Sequence, residues 1–277
     1  RDRPPDLAAA VRVDGDPWSR LHPGASDVAA GLPLSEIPLT AALLLDLDDT
    51  LIDTRTAMVV AGSAAVAKLW PEVGGAIHQA AGVHFQRDPG GVFAHFSSGE
   101  MDFAQMRHAR IADLLEAFSL TAVDEVNQRF EDAYGPAFSA SLHLFDDVPA
   151  LVEAAARAGV PTGVLTNSGS RYTQEKLEIT GLVGVFGVVA TRDTLGFGKP
   201  DPRAFHHACE LLGAEPSETM YVGDHIEVDA IAAQEAGLYA VWLQRDAVVG
   251  ADARLAQAHG IPVVSSLKDV VALMDGD

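Results

Sequence analysis

From Thr40 onward the chain carries short, unbroken apolar runs, each stopped by a polar or glycine-bearing turn. The first, Ala41-Ala42-Leu43-Leu44-Leu45, ends abruptly in Asp46, and similar runs occupy 161–165, 185–190, 220–222, 239–243 and 261–264. Continuous apolar runs of this length predict strands covered on both faces. Between them, residues with helical spacing predict helices. The stretch 147–158 places Val148, Leu151, Val152 and Ala155 on one side and ends at Gly159, a suitable helix stop. The stretch 202–212 opens on Pro202 and groups Ala204, Phe205, Ala208, Leu211 and Leu212, and 229–236 is closed by Gly237. Strands alternating with helices predict an α/β fold built on a doubly wound parallel sheet, with ligands at the C-terminal ends of the strands.

Two stretches break that alternation. Residues 55–140 hold helical patterns with little strand character: Phe103, Met106, Arg110, Ile111, Leu114, Leu115 and Phe118 mark one amphipathic helix, and 122–138 reads as another. A helical cap domain inserted after the first strand is the simplest account, with 39–54 and 141–277 forming the core. Residues 1–38 alternate Pro, Gly, Asp and Ala without a period and read as an N-terminal extension of unknown role.

Composition narrows the partners. Nineteen Lys+Arg against 39 Asp+Glu give a formal net charge of -20, which repels phosphodiester polymers and anionic lipid. No nucleic acid and no membrane surface is therefore expected as partner, and no apolar run reaches the ~18–20 residues needed to cross a bilayer. A small anion is repelled too, so a phosphate site needs its own local positive field from a metal, a lysine and helix N-termini. The single Cys209 reads as a small apolar residue on a helix face and fits a reducing compartment. No signal-type apolar core follows Arg1, and Asp6, Asp14 and Asp16 count against a transit peptide, so a cytoplasmic location is expected.

The chemistry gathers at strand ends. The first strand runs into Asp46-Leu47-Asp48-Asp49-Thr50, and positions i and i+2 of an extended segment project to the same side, so Asp46 and Asp48 can face one substrate. Crowded carboxylates raise each other's pKa and call for a cation. Later strand ends lead to Thr166-Asn167-Ser168-Gly169, to Gly198-Lys199-Pro200-Asp201-Pro202, and to Gly223-Asp224-His225 with Asp229 on the following turn. Taken singly, each of these reads as a turn, a helix cap or a solvated lysine. Their order along the chain, each after an expected strand, points to one site.

Asp46-x-Asp48-x-Thr50, Thr166, Lys199, and Asp224 with Asp229 resemble the four ordered motifs of the haloacid dehalogenase superfamily. The insert resembles that family's helical cap of the first class, on a Rossmann-like core. Residues 46–55 and 198–242 look most like the phosphoglycolate phosphatase, acylneuraminate-9-phosphatase and pyrimidine 5′-nucleotidase members. The resemblance implies a Mg²⁺-dependent phosphatase acting on a small phosphorylated metabolite through an aspartyl-phosphate. It implies Asp46 as nucleophile and Asp48 as the proton-transferring acid and base. Thr166, Asn167 and Lys199 would bind the phosphoryl group. Asp46, Asp224 and the Asp48 backbone carbonyl would hold the metal, while Asp229 orients Lys199 or a metal-bound water. Dividing hydrolysis into two displacements also suits the chemistry, because unaided monoester hydrolysis is so slow that up to ~10²¹-fold acceleration is needed.

Other residues carry blander expectations. His225 reads as structural, since a hard cation prefers oxygen. Arg87 lies in a polar turn of the insert that could touch the leaving group. A dehalogenase proper lacks the second Asp, and a phosphonoacetaldehyde hydrolase needs a cap lysine, for which the insert offers only Lys68. A phosphosugar mutase on the same core, or a non-catalytic module that kept the fold, are the competing readings.

Overall fold

A computed structural model describes residues 40–97, 99–246 and 250–275 of the chain; the N-terminal extension expected at 1–38 lies outside them. Strand β1 (Ala42–Leu45) leads through a short loop to α1 (Thr54–Leu69). Helices α2 (Gly75–Arg87), α3 (Val92–Ser97), α4 (Phe103–Ala117) and α5 (Val126–Ser141) follow before the chain returns to the sheet. Next come α6 (Val148–Ala158), β2 (Thr162–Thr166), α7 (Ser170–Thr180), β3 (Val188–Thr191), α8 (Arg192–Leu195) and α9 (Pro202–Leu212). Strand β4 (Thr219–Gly223), α10 (Ala232–Glu235), β5 (Tyr239–Leu243), α11 (Ala251–His259), β6 (Val263–Val264) and α12 (Leu267–Asp275) complete it.

The six strands form one sheet in the order β3-β2-β1-β4-β5-β6, every neighbouring pair parallel. Alternation of side chains along β1 separates two cores. Leu43 and Leu45 join Val164, Val222 and Val241 under α6 and α12, while Leu44 joins Leu165, Tyr221 and Trp242 against Phe205 and Ala208 of α9. Both faces being covered explains the unbroken apolar strands. The order places β1 between β2 and β4, so successive connections leave it in opposite directions, and the crevice opened by that switch sits at Asp46.

Helices α1, α2, α4 and α5 close around their own cluster, with Ala65, Val66, Phe85, Ile111, Leu114, Phe130 and Tyr134 buried together. Two arginines of α4 are buried with them. Arg107 stacks on Tyr134 and Phe85 and pairs with Glu131, and Arg110 lies over Phe85. Among the described residues no helix is long and apolar enough to cross a membrane.

The sequence-based boundaries move in four places, one of them the cap helix expected at 122–138, which runs from Val126 to Ser141. The strand expected at 185–190 begins only at Val188, because Gly184 turns with φ 75° and Val185 and Phe186 pack into the core from that turn. The strand expected at 261–264 shortens to Val263–Val264. The helix expected at 229–236 opens as a π-helical turn, Ile226–Ile231, before α10, so Asp229 lies inside the turn rather than at a helix start.

Candidate active site

The ends of β1, β2 and β4 each deliver a polar group to the crevice, and Lys199, expected at a strand end, comes instead from the loop after α8. Asp46 follows β1 directly, its N–H donating to the Val222 carbonyl at 2.9 Å, which ties it to the end of β4. The loop beyond it folds back through Leu51 N–H to Leu47 O at 2.9 Å, with Asp49 at φ 60°. Thr166 ends β2, buried, and its Oγ1 accepts the Ser168 N–H at 3.1 Å. Lys199 lies on the loop before α9 and Asp224 follows β4.

Lys199 Nζ donates to Asp46 Oδ1 at 2.6 Å, to Asp229 Oδ1 at 2.6 Å and to the Tyr221 hydroxyl at 2.8 Å, with its side chain only 3% exposed. The Tyr221 hydroxyl in turn donates to Asp229 at 2.8 Å. Both amide atoms of Asn167 hold the Lys199 backbone, Nδ2 donating to its carbonyl and Oδ1 accepting its N–H, each at 2.8 Å. A Cβ at Gly198 would stand 2.4 Å from Asn167 Oδ1, so this clamp needs glycine there. A Cβ at Gly223 would likewise meet the Asp229 carboxyl carbon at 2.5 Å. His225 braces the turn: its backbone N–H donates to Asp229 Oδ2 at 3.0 Å and its side-chain Nδ1 accepts the Val228 N–H.

The electrostatics are those of a site with surplus negative charge. Burial pushes Asp46 up to about 7; the Lys199 charge opposes that, and Asp229 and Asp48 add to it. Burial and then Asp46 and Asp229 raise Asp224 well above the usual carboxylate range. Oxygens of Asp46, Asp224 and Asp229 come within 4.8 Å of one another, and a hard-oxygen set of this kind fits a divalent cation that keeps some of its water. Asp229 already spends both oxygens on Lys199, Tyr221 and His225. That leaves Asp46 and Asp224 as the carboxylates with free capacity.

Three residues escaped the sequence reading. Lys176, on α7, puts Nζ 2.5 Å from Asp48 Oδ1, and Thr54 Oγ1 donates to the same oxygen at 2.6 Å. Although burial pushes Asp48 up, the Lys176 charge and the hydrogen bonds from Lys176 and Thr54 hold it below the usual value. Arg55 reaches Asp224 at 3.4 Å, Asp246 at 3.5 Å and Asp49 at 3.8 Å. Arg87 closes α2 and, among the described residues, forms no ion pair or hydrogen bond with these groups, and Lys68 is exposed in the last turn of α1. Lys68 lies fourteen helical positions beyond Thr54, about 20 Å along the axis, which removes it from Schiff-base chemistry at Asp46.

The haloacid dehalogenase-like hydrolase family model matches residues 40–237. The chain belongs to that family. Among the family's curated proteins, this member is 37% identical to the phosphoserine phosphatase of Thermus thermophilus over 102 residues, 37% of this chain and 41% of that one. It is 29% identical to the plasmid-borne phosphoglycolate phosphatase of Cupriavidus necator over 238 residues, 82% of this chain and 94% of the other. For the leading curated relatives the match spans about half of the relative's length. The fold is that of the Bacillus subtilis protein YfnB solved with bound magnesium, with TM-score 0.68, 20% identity, and coverage of 85% of this chain and 99% of that one.

Proposed function

We propose that this family member is a Mg²⁺-dependent phosphatase that hydrolyses a small-molecule phosphate monoester through an aspartyl-phosphate on Asp46. The observation that carries the reading is the convergence of Asp46, Asp224 and Asp229 within 4.8 Å with Lys199 2.6 Å from Asp46. Curated relatives named for phosphoserine, phosphoglycolate and N-acetylmuramic acid 6-phosphate support the substrate class. Residues 39–54 and 141–277 form the catalytic core in this reading, with 55–140 as cap over the strand ends.

Asp46 attacks phosphorus in line with the departing ester oxygen. Asp48 gives that oxygen a proton and then takes one from the water that cleaves the acyl phosphate. Thr166 and the backbone N–H groups beside it, with Lys199, hold the phosphoryl oxygens. The Asn167 side chain acts on the phosphate indirectly, by fixing the Lys199 backbone, and Asp229 keeps the Lys199 ammonium aimed at Asp46. Asp46, Asp224 and the Asp48 carbonyl would hold Mg²⁺, which when bound screens the nucleophile from its anionic target.

The test is a Mg²⁺-supplemented screen of phosphorylated sugars, nucleotides and short phosphoacids, following inorganic phosphate release, with Asp46→Asn as blank. We expect turnover that EDTA removes and Mg²⁺ restores, and a loss of at least about 10⁴-fold in folded Asp46→Asn. Normal turnover in Asp46→Asn or in chelator would refute the reading. Substrate isomerisation without phosphate release would replace the phosphatase with a mutase.

A further inference from the structure

Asp48 stands on a loop beyond β1, and a group that must deliver a proton along one direction needs its carboxylate plane fixed. Two donors do this from different elements. Lys176 reaches Oδ1 from within α7, and Thr54 reaches the same oxygen from the first residue of α1. Lys176 Nζ also lies 3.5 Å from Ser168 Oγ, beside the end of β2. Among the described residues, Asp48 Oδ2 receives no hydrogen bond. The Lys176 side chain is about one-tenth exposed, and a lysine buried to that degree costs stability unless a carboxylate compensates it. Asp48 is its one ion-pair partner among the described residues.

We propose that Lys176 is the positioning residue for the acid–base group: with Thr54 it immobilises Oδ1 of Asp48, so that Oδ2 is the oxygen that exchanges protons with the leaving group and with water. An oxygen already accepting two hydrogen bonds has little capacity for a proton, so a proton that Asp48 takes up sits on Oδ2. In the first step a bond forms from Asp46 to phosphorus, the ester P–O bond breaks, and the Oδ2 proton moves to the departing oxygen. In the second, water oxygen bonds to phosphorus, its proton goes to Oδ2, and the bond to Asp46 breaks. This inference rests on the phosphatase reading.

The experiment compares Lys176→Met and Lys176→Arg with the wild type on two substrates. On the alkyl phosphate that the wild type turns over fastest, Lys176→Met should lose about 10²-fold in kcat with KM changed by less than about threefold, and Lys176→Arg should recover about tenfold of it. On para-nitrophenyl phosphate, whose nitrophenolate departs without a proton, single-turnover nitrophenolate release by Lys176→Met should stay within about threefold of wild type. Equal losses on both substrates, or no loss on either, would overturn the positioning role. Cooperative thermal unfolding of each variant checks the fold, and if Lys176→Met fails it, Lys176→Gln carries the same comparison. A folded wild type that releases phosphate from no monoester would instead end the phosphatase reading.

Discussion

The two lysines that meet the two central carboxylates occupy unlike surroundings. Lys199 is sealed: Asp46, Asp229 and Tyr221 all lie within 2.8 Å of its ammonium, and Asn167 grips its backbone from the neighbouring strand end. Among the described residues Lys176 makes its one ion pair with Asp48, whose side chain stays 30% exposed. A charge that must stabilise a phosphoryl group works best when every competing motion is removed. A group that must trade a proton with two successive partners needs one oxygen left open. The difference between enclosure and partial exposure therefore follows the two tasks proposed for Asp46 and Asp48.

The strongest way to break this comparison is Lys199→Met. Removing the ammonium leaves Asp46 and Asp229 buried without their shared partner, so kcat should fall by about 10³-fold, and chemical denaturation should show a stability loss of about 3–5 kcal/mol. If Lys176→Met matched that loss in stability, the contrast between the two lysines would be false. A second measurement uses pH. Cation binding needs ionised carboxylates, and burial raises Asp46 to about 7 and Asp224 above the usual range. Protons therefore compete with the metal on the acid side, and calorimetry should find Mg²⁺ affinity at least about tenfold higher at about pH 7.5 than at about pH 5.5. A raised folded-state value favours the protonated protein, so this contribution to stability is complete below the ordinary value of 3.8 and is lost as pH rises through about 7. Metal-free protein should accordingly lose Tm across that window, and Mg²⁺ should restore most at its upper end. A flat affinity profile would show that Asp46 is ionised throughout. The smallest effect sharpens the picture of the sealed lysine. Tyr221→Phe removes one of the three partners that Lys199 Nζ has among the described residues and should cost about 1 kcal/mol in denaturant titrations, with kcat reduced less than about fivefold.

Much of the sheet was legible from the chain because its strands are buried on both faces and show as unbroken apolar runs. Asp46 and Asp224 stood out for the same reason, as charges placed where such a run stops. Thr54, Arg55 and Lys176 gave no such signal. Thr54 and Arg55 look like an ordinary first helical turn, and Lys176 sits within α7 at a position where a solvated lysine is the common outcome. Asn167 was visible as a polar residue at a strand end, but its grip on Lys199 was not. The π-helical turn that carries Asp229 was also hidden, since its apolar spacing differs little from that of a regular helix.

By itself the amino-acid order determined which segments become strands, which helices cover them and which strand ends carry carboxylates, because burial imprints a local period on the residues that experience it. Tertiary structure alone decided which lysine meets which carboxylate. Those pairs join residues 153 and 128 positions apart, and they form only because β2 and β4 flank β1 in the sheet and bring their ends, with α7 and the Lys199 loop, around a single crevice.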